Sequence, residues 1–200
     1  VSLNLGTGLN APGRALLNYN GKLLVGGFFT MAGGVLTGHL AQWDGTNWTT
    51  FNGSIVSDNI YAMTLFNGNP VIGGDFVSIN GNTARKVAMW NGSGWTDMGA
   101  GIDTAVGSVT ALAVHNGELY AGGYFATSIG QPKTLARWNG FSWVPAGGDV
   151  TPGPGGVSAL ASFNGSLMVG GVFTRAGSVY APNLAEYKCA CYANCDNSTG

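Results

Sequence analysis

The sequence predicts an all-β fold built from four copies of one four-stranded unit, and three observations predict it. Glycine supplies 35 of the 200 residues while charged residues make up only 8%, against usual shares of about 7% and about 25%. Four Asn-Gly pairs, at Asn20, Asn67, Asn116 and Asn164, follow one another at spacings of 47, 49 and 48 residues. No stretch of ten residues keeps a 3.6-residue apolar period, so almost no helix is expected. A hydrophobic share of 45% with six tryptophans points to a packed core. The same composition bounds function. A net charge of −1 lacks the electrostatic footprint of a nucleic-acid binder. No run approaches the ~18 apolar residues of a membrane span.

Each unit reads as four strands in the same order. In the third unit, Ser108–His115 alternates small and apolar residues, and Asn116-Gly117 supplies the positive φ values of a tight hairpin turn. Glu118–Phe125 is the second strand and ends on a glycine pair; Thr134–Trp138 is the third. Asn139-Gly140 then turns the chain into a fourth strand, Ser142–Ala146. The glycine pairs are Gly26-Gly27, Gly73-Gly74, Gly122-Gly123 and Gly170-Gly171, each with a Phe two residues on. An aromatic residue follows the first glycine of each pair after sixteen or seventeen residues: Trp43, Trp90, Trp138 and Tyr187. Three of these open hairpins of one design, running to Trp48, Trp95 and Trp143. The units span 14–51, 60–99, 108–147 and 157–187.

Four-stranded units of this length, stacked by period, are the blades of a β-propeller. The GG-x-F … W-N-G-x-x-W pattern resembles the kelch-like repeats of secreted bacterial proteins, over essentially residues 1–187. It departs from the usual kelch pattern in its aromatic spacing, Trp-x4-Trp in place of a Tyr and a Trp some seven apart. Glycine inside a strand costs about 0.5–1 kcal/mol relative to alanine, so eight matched glycines need a reason. The expected reason is that positions without a Cβ let a bulky ring from the neighbouring blade close on the backbone. Trp43, Trp90 and Trp138, with Tyr187 at the fourth position, are the expected inter-blade fillers. A fully buried Trp removes about 150–250 Å² from water, an upper bound of roughly 4–6 kcal/mol.

The fourth unit stops after three strands, Val157–Phe163, Ser166–Phe173 and Leu184–Tyr187. Leu3-Asn4-Leu5-Gly6 aligns with Thr96-Asp97-Met98-Gly99, the end of a fourth strand. Residues 1–6 are therefore expected to complete the last blade, closing a four-bladed propeller over residues 1–188 within one chain and leaving no open edge. Two rivals stay open: pairing with a second copy into eight blades, and membership of a longer propeller. Val1 and the absence of a visible signal peptide suggest a trimmed piece of a longer chain.

Catalytic parts are scarce. His39 and His115 occupy different places in their units, and one His makes no metal site. His115 is expected to pack, half-buried, before its Asn-Gly turn. The copper oxidases among kelch propellers need paired His and Tyr ligands, which this chain lacks. No nucleophile elbow, HExxH or P-loop is present. Specificity usually resides in loops that vary on a rigid scaffold. Here the connections between second and third strands (30–38, 77–85, 126–133, 174–182) and between units (6–13, 52–59, 100–107, 147–156) vary, and both share one rim. Candidate contacts are His39, Asp58, Lys86, Asp103, Asp149, Arg175 and Tyr180, each of which singly also fits a solvated loop residue.

The last dozen residues hold all three cysteines, Cys189, Cys191 and Cys195, and abandon the blade pattern. This tail, 189–200, resembles the opening of the dockerin-like, EF-hand-type segments of planctomycete proteins. That resemblance implies oxygen ligands at Asn194, Asp196 and Ser198, an incomplete and weak calcium loop without its bidentate acid; an unstructured stub fits equally well. No other cofactor is expected. The reading is a secreted, non-catalytic module, extracellular or on the cell surface, that recognises a protein or glycan through its variable rim. The alternatives are a carbohydrate-active enzyme or accessory domain using loop carboxylates, and a structural repeat of an extracellular assembly.

Overall fold

The computed structural model describes residues 5–102, 107–126, 132–147, 150–151 and 156–187, and among them there is no helix. The first unit comprises β1 (Gly13–Tyr19), β2 (Lys22–Gly27), a small hairpin of β3 (Met31–Ala32) and β4 (Val35–Leu36), then β5 (Leu40–Trp43) and β6 (Trp48–Thr50). The second comprises β7 (Ile60–Phe66), β8 (Asn69–Gly74), the hairpin β9 (Ser78–Ile79) and β10 (Asn82–Thr83), β11 (Val87–Trp90) and β12 (Trp95–Thr96). The third has β13 (Ser108–His115), β14 (Glu118–Ala126), β15 (Pro132–Trp138) and β16 (Trp143–Pro145). The fourth has β17 (Val150–Thr151), β18 (Gly156–Phe163), β19 (Ser166–Val172), the hairpin β20 (Arg175–Ala176) and β21 (Val179–Tyr180), and β22 (Leu184–Tyr187).

The main sheets are antiparallel, ordered β1-β2-β5-β6, β7-β8-β11-β12, β13-β14-β15-β16 and β18-β19-β22. None closes on itself, and among the described residues the fourth has three strands. Each first hairpin turns on its Asn-Gly pair in left-handed conformation, for example Asn67 at φ 51° and Gly68 at 77°. Each second hairpin is held by one side chain that accepts two backbone N–H bonds. Asp44 Oδ1 takes those of Thr46 and Asn47, and Asn139 Oδ1 those of Phe141 and Ser142. This is the Asx-turn chemistry that suits Asp and Asn to such corners.

The core lies between sheets. One cluster joins Leu24, Leu40 and Phe51 of the first unit to Ile60, Ile72 and Trp90 of the second. A second cluster joins the second unit to the third through Val71, Val87 and Met98 with Val109, Leu112 and Trp143. A third joins Tyr120 and Leu135 to Val157, Leu167 and Val169. The remaining cluster, with Val25, Phe29, Ala32, Ala41 and Trp48, belongs to the first unit alone.

The two glycines of each pair do different work, which corrects the expectation of a ring over both. A Cβ on the first would strike a branched aliphatic side chain of the next sheet: Ile60 Cγ2 at 2.5 Å from Gly26, Val109 Cγ1 at 2.6 Å from Gly73, Val157 Cγ1 at 2.4 Å from Gly122. A Cβ on the second would strike backbone at the edge of its own sheet, as with Asn59 O at 2.0 Å from Gly74. There the first strand carries a bulge between Ile60 and Ala62. The rings stack farther out. Phe51 packs edge-on against Trp90 and Trp95, with centroids 5.1 and 5.8 Å away. Trp90 thus packs between the first and second sheets with a Phe that the sequence reading did not single out, whereas Trp43 packs on the cluster confined to the first unit.

Candidate ligand-binding rim

The connections expected to be loops are a second tier of structure. Three of the four segments between second and third strands fold into two-residue-stranded hairpins: β3–β4, β9–β10 and β20–β21. Their tips turn on Gly33-Gly34 and Asn80-Gly81, all at positive φ, and on Gly177. Each is stitched to the connector entering its own unit. Leu9 bridges to Ala32, Val56 to Ile79, and Val150 to Ala176.

Side chains of the connectors complete the stitching. Asn10 Oδ1 accepts the N–H groups of Thr30 and Met31, both at 3.0 Å. Ser57 Oγ accepts those of Val77 and Ser78, both at 3.1 Å. In return Asn80 Oδ1 accepts Ile55 N at 2.7 Å. Asn10 and Ser57 are 47 residues apart, one repeat, so the signal was in the sequence, masked by the change of residue type. The rim is therefore a set of three short hairpins whose backbone polar groups are satisfied locally. Its exposed side chains differ from unit to unit: Met31 and Leu36, then Ile55 and Val77, then Arg175, Val179 and Tyr180.

Of the predicted contacts, Arg175 and Tyr180 are brought together as cross-strand partners on the last hairpin, where the Arg175 guanidinium donates to Ser178 O. Asp58 is exposed on the connector before the second unit and accepts the N–H of Asn59. His39 and Lys86 stand apart from the rim. Their carbonyls accept the N–H of Gly27 and Gly74, tying the glycine pair to the third strand. His39 Nδ1 lies 3.2 Å from Gly27 O, and the buried Lys86 Nζ donates to Asp75 O. Lys86 also holds a φ of 65°. These are internal ties in place of free contacts. His115 is buried, with Nδ1 2.9 Å from Ser162 Oγ. Asp103, Asp149, Asn194, Asp196, Ser198 and the three cysteines lie outside the described residues, and among those described no group of three metal-ligating side chains forms.

One cluster escaped the sequence reading. Asp75 accepts hydrogen bonds from Tyr61 OH, at 2.5 Å, and from Ser108 Oγ of the next sheet. Burial first, and the Asp75 carboxylate second, push the Tyr61 phenol up to about 12. Phe28 of the first sheet packs edge-on against Tyr61 with centroids 5.6 Å apart. The residue after the first and second glycine pairs thus joins consecutive sheets at this level, and its identity over the four units (Phe28, Asp75, Tyr124, Val172) varies too much for a periodicity search to register.

No family model matches the chain, and no curated protein does. Among solved structures, the computationally designed Ika4 protein is similar at a TM-score of 0.51 and 14% identity, over 94% of this chain and 100% of that one. The computationally designed Ika8 protein aligns at a TM-score of 0.48 and 15% identity, over 84% of this chain and 47% of that one. The chain thus spans about half the length of the Ika8 protein. At such identity the Ika4 likeness is one of fold alone.

Proposed function

We propose that the chain is a non-catalytic β-propeller module, extracellular or on the cell surface, that recognises a protein or glycan through the hairpin rim. In this reading each main sheet is a blade, and residues 1–6 supply the outer strand that a fourth sheet lacks, its own or that of a second copy. Trp48 Nε1 donates to Leu5 O at 2.8 Å, as Trp95 Nε1 donates to Ser54 Oγ on the connector leaving the preceding sheet. Leu5 thus stands where a preceding blade would hand the chain on.

The observation that carries the binding reading is the stiffness of the rim. The hairpins pinned by Asn10, Ser57 and Asn80 present exposed apolar side chains such as Met31, Leu36 and Val77 on a backbone already ordered, and the last hairpin, bridged from Val150 to Ala176, presents Tyr180. Binding there loses less conformational entropy than binding to a free loop. The test probes glycan and extracellular-protein arrays with the labelled chain. Tyr180→Ala and Leu36→Asp should weaken any hit about tenfold or more. Phe141→Ala, at the exposed turn between β15 and β16 and outside the hairpin rim, should leave it unchanged. A hit lost with Phe141→Ala and kept by both rim variants overturns the reading, as does turnover of a bound glycan.

A further inference from the structure

The three sheet-to-sheet seams use the same positions each time. On the side facing the next sheet, Leu40, Val87 and Leu135 pair with the first glycine of their units and are 0, 0 and 1% exposed. Leu184 pairs with Gly170 in the same way and is 60% exposed. On the side facing the previous sheet, Leu112 approaches Gly73 and is 9% exposed, and Met63 and Leu160, approaching Gly26 and Gly122, are partly buried. Leu16 holds that place in the first sheet and is 68% exposed. Phe163 is exposed as well, whereas His115 at the same place is buried against Ser162. Around Gly170 the nearest atoms a Cβ would meet are Ala159 Cβ at 3.6 Å and Ala159 O and Asn183 O at 3.9 Å, all of its own unit. Among the described residues two half-seams are therefore open at once, and the fourth sheet does not cover the first.

We infer that these two faces are the halves of a fourth seam, made between two copies of this chain: the fourth sheet of each copy packs on the first sheet of the other. The inference rests on reading the sheets as blades, and it is independent of what the rim binds. The argument for a second copy is the continuity of the seam. Leu184 and Gly170 present the surface that Leu40 and Gly26, Val87 and Gly73, and Leu135 and Gly122 present internally, and Leu16 presents the side chain that such a surface receives. The fourth seam has one difference. Gly13 replaces the branched residue found at Ile60, Val109 and Val157, and Leu9 Cδ1 lies 3.2 Å from where its Cβ would be, filling that room from the connector. A contact between unlike faces either propagates or closes. Two copies close it with both seams formed, giving eight blades, within the usual range of four to eight.

The test is molar mass in solution by light scattering, with far-UV circular dichroism to confirm folding. The wild-type chain should run at twice its 20.4 kDa. Leu16→Asp and Leu184→Asp, on opposite faces, should each yield folded single chains, while Leu36→Asp on the rim keeps the double mass. A wild-type single chain overturns the inference, as do an open-ended series of larger masses and a double mass that survives both face variants. Array binding by a wild-type protein that runs as a single chain would leave the rim reading standing when this one falls. Lost rim binding with the double mass intact would do the reverse.

Discussion

A Cβ added at Gly122 would come within 2.4 Å of Val157 Cγ1, whereas one added at Gly170 would meet Ala159 Cβ at 3.6 Å, an ordinary contact. Both glycines are the fifth residue of the second strand of their sheet, and neither has a positive φ, so the difference is one of neighbours. In the single-chain Leu16→Asp background, Gly122→Ala should lower the unfolding free energy by about 1–3 kcal/mol, the range for overpacking a close-fitted seam. Gly170→Ala should be neutral or slightly stabilising there, since it restricts the unfolded chain. Denaturant titration of the two variants checks this, and equal losses would refute it. A second prediction belongs to Tyr61. Its folded pKa, about 12, lies above the usual 10 because burial and the Asp75 carboxylate disfavour the phenolate. The contribution to stability is therefore complete below pH 10 and lost as pH rises through about 12. Asp75→Asn removes the anion facing the phenol and should draw the pKa back toward 10, read by ultraviolet titration of the phenolate band. An unchanged titration would show that burial alone sets it.

At the scale of elements, the main strands were legible because their signals are local. Asn-Gly pairs force positive φ at the first hairpins, and Leu184–Tyr187 is found with the bounds expected from sequence. Other ends shift by a residue or two, as with Pro132–Trp138, where Thr134 was the expected start. The rim hairpins were read as loops because strands of two residues carry no alternation. They exist through Asn10, Ser57 and Asn80, whose acceptors saturate backbone N–H groups that a sequence pattern does not display. His39 and Lys86 misled for a related reason. Variation at one repeat position suggested ligand contact, yet that position works through its carbonyl, which every residue type supplies. The glycine pairs were recognised as a packing device, but the backbone contact of the second member depends on a bulge in the neighbouring strand.

For the whole molecule, the repeat records how one sheet meets the next and says little about where the series stops, because each seam is a pairwise contact that is satisfied locally. Closure depends on the angle accumulated over four sheets, which no residue encodes by itself; the exposed Leu16 and Leu184 mark the two faces left uncovered among the described residues. Such a stack should be least stable at its uncovered ends. The second and third sheets are covered on both faces, the fourth on one. In the single-chain Leu16→Asp variant, amides of β18 and β19 should exchange about tenfold or more faster than those of β13 and β14, which corresponds to about 1.4 kcal/mol less protection against local opening. In the wild-type chain, packing of the fourth sheet on a partner's first sheet should remove most of that difference, because opening β18 would then uncover a seam. Hydrogen exchange read by mass spectrometry at a concentration where the double mass holds makes the comparison. Unchanged, rapid exchange of β18 and β19 there would mean that the association leaves the fourth sheet uncovered and uses some other surface.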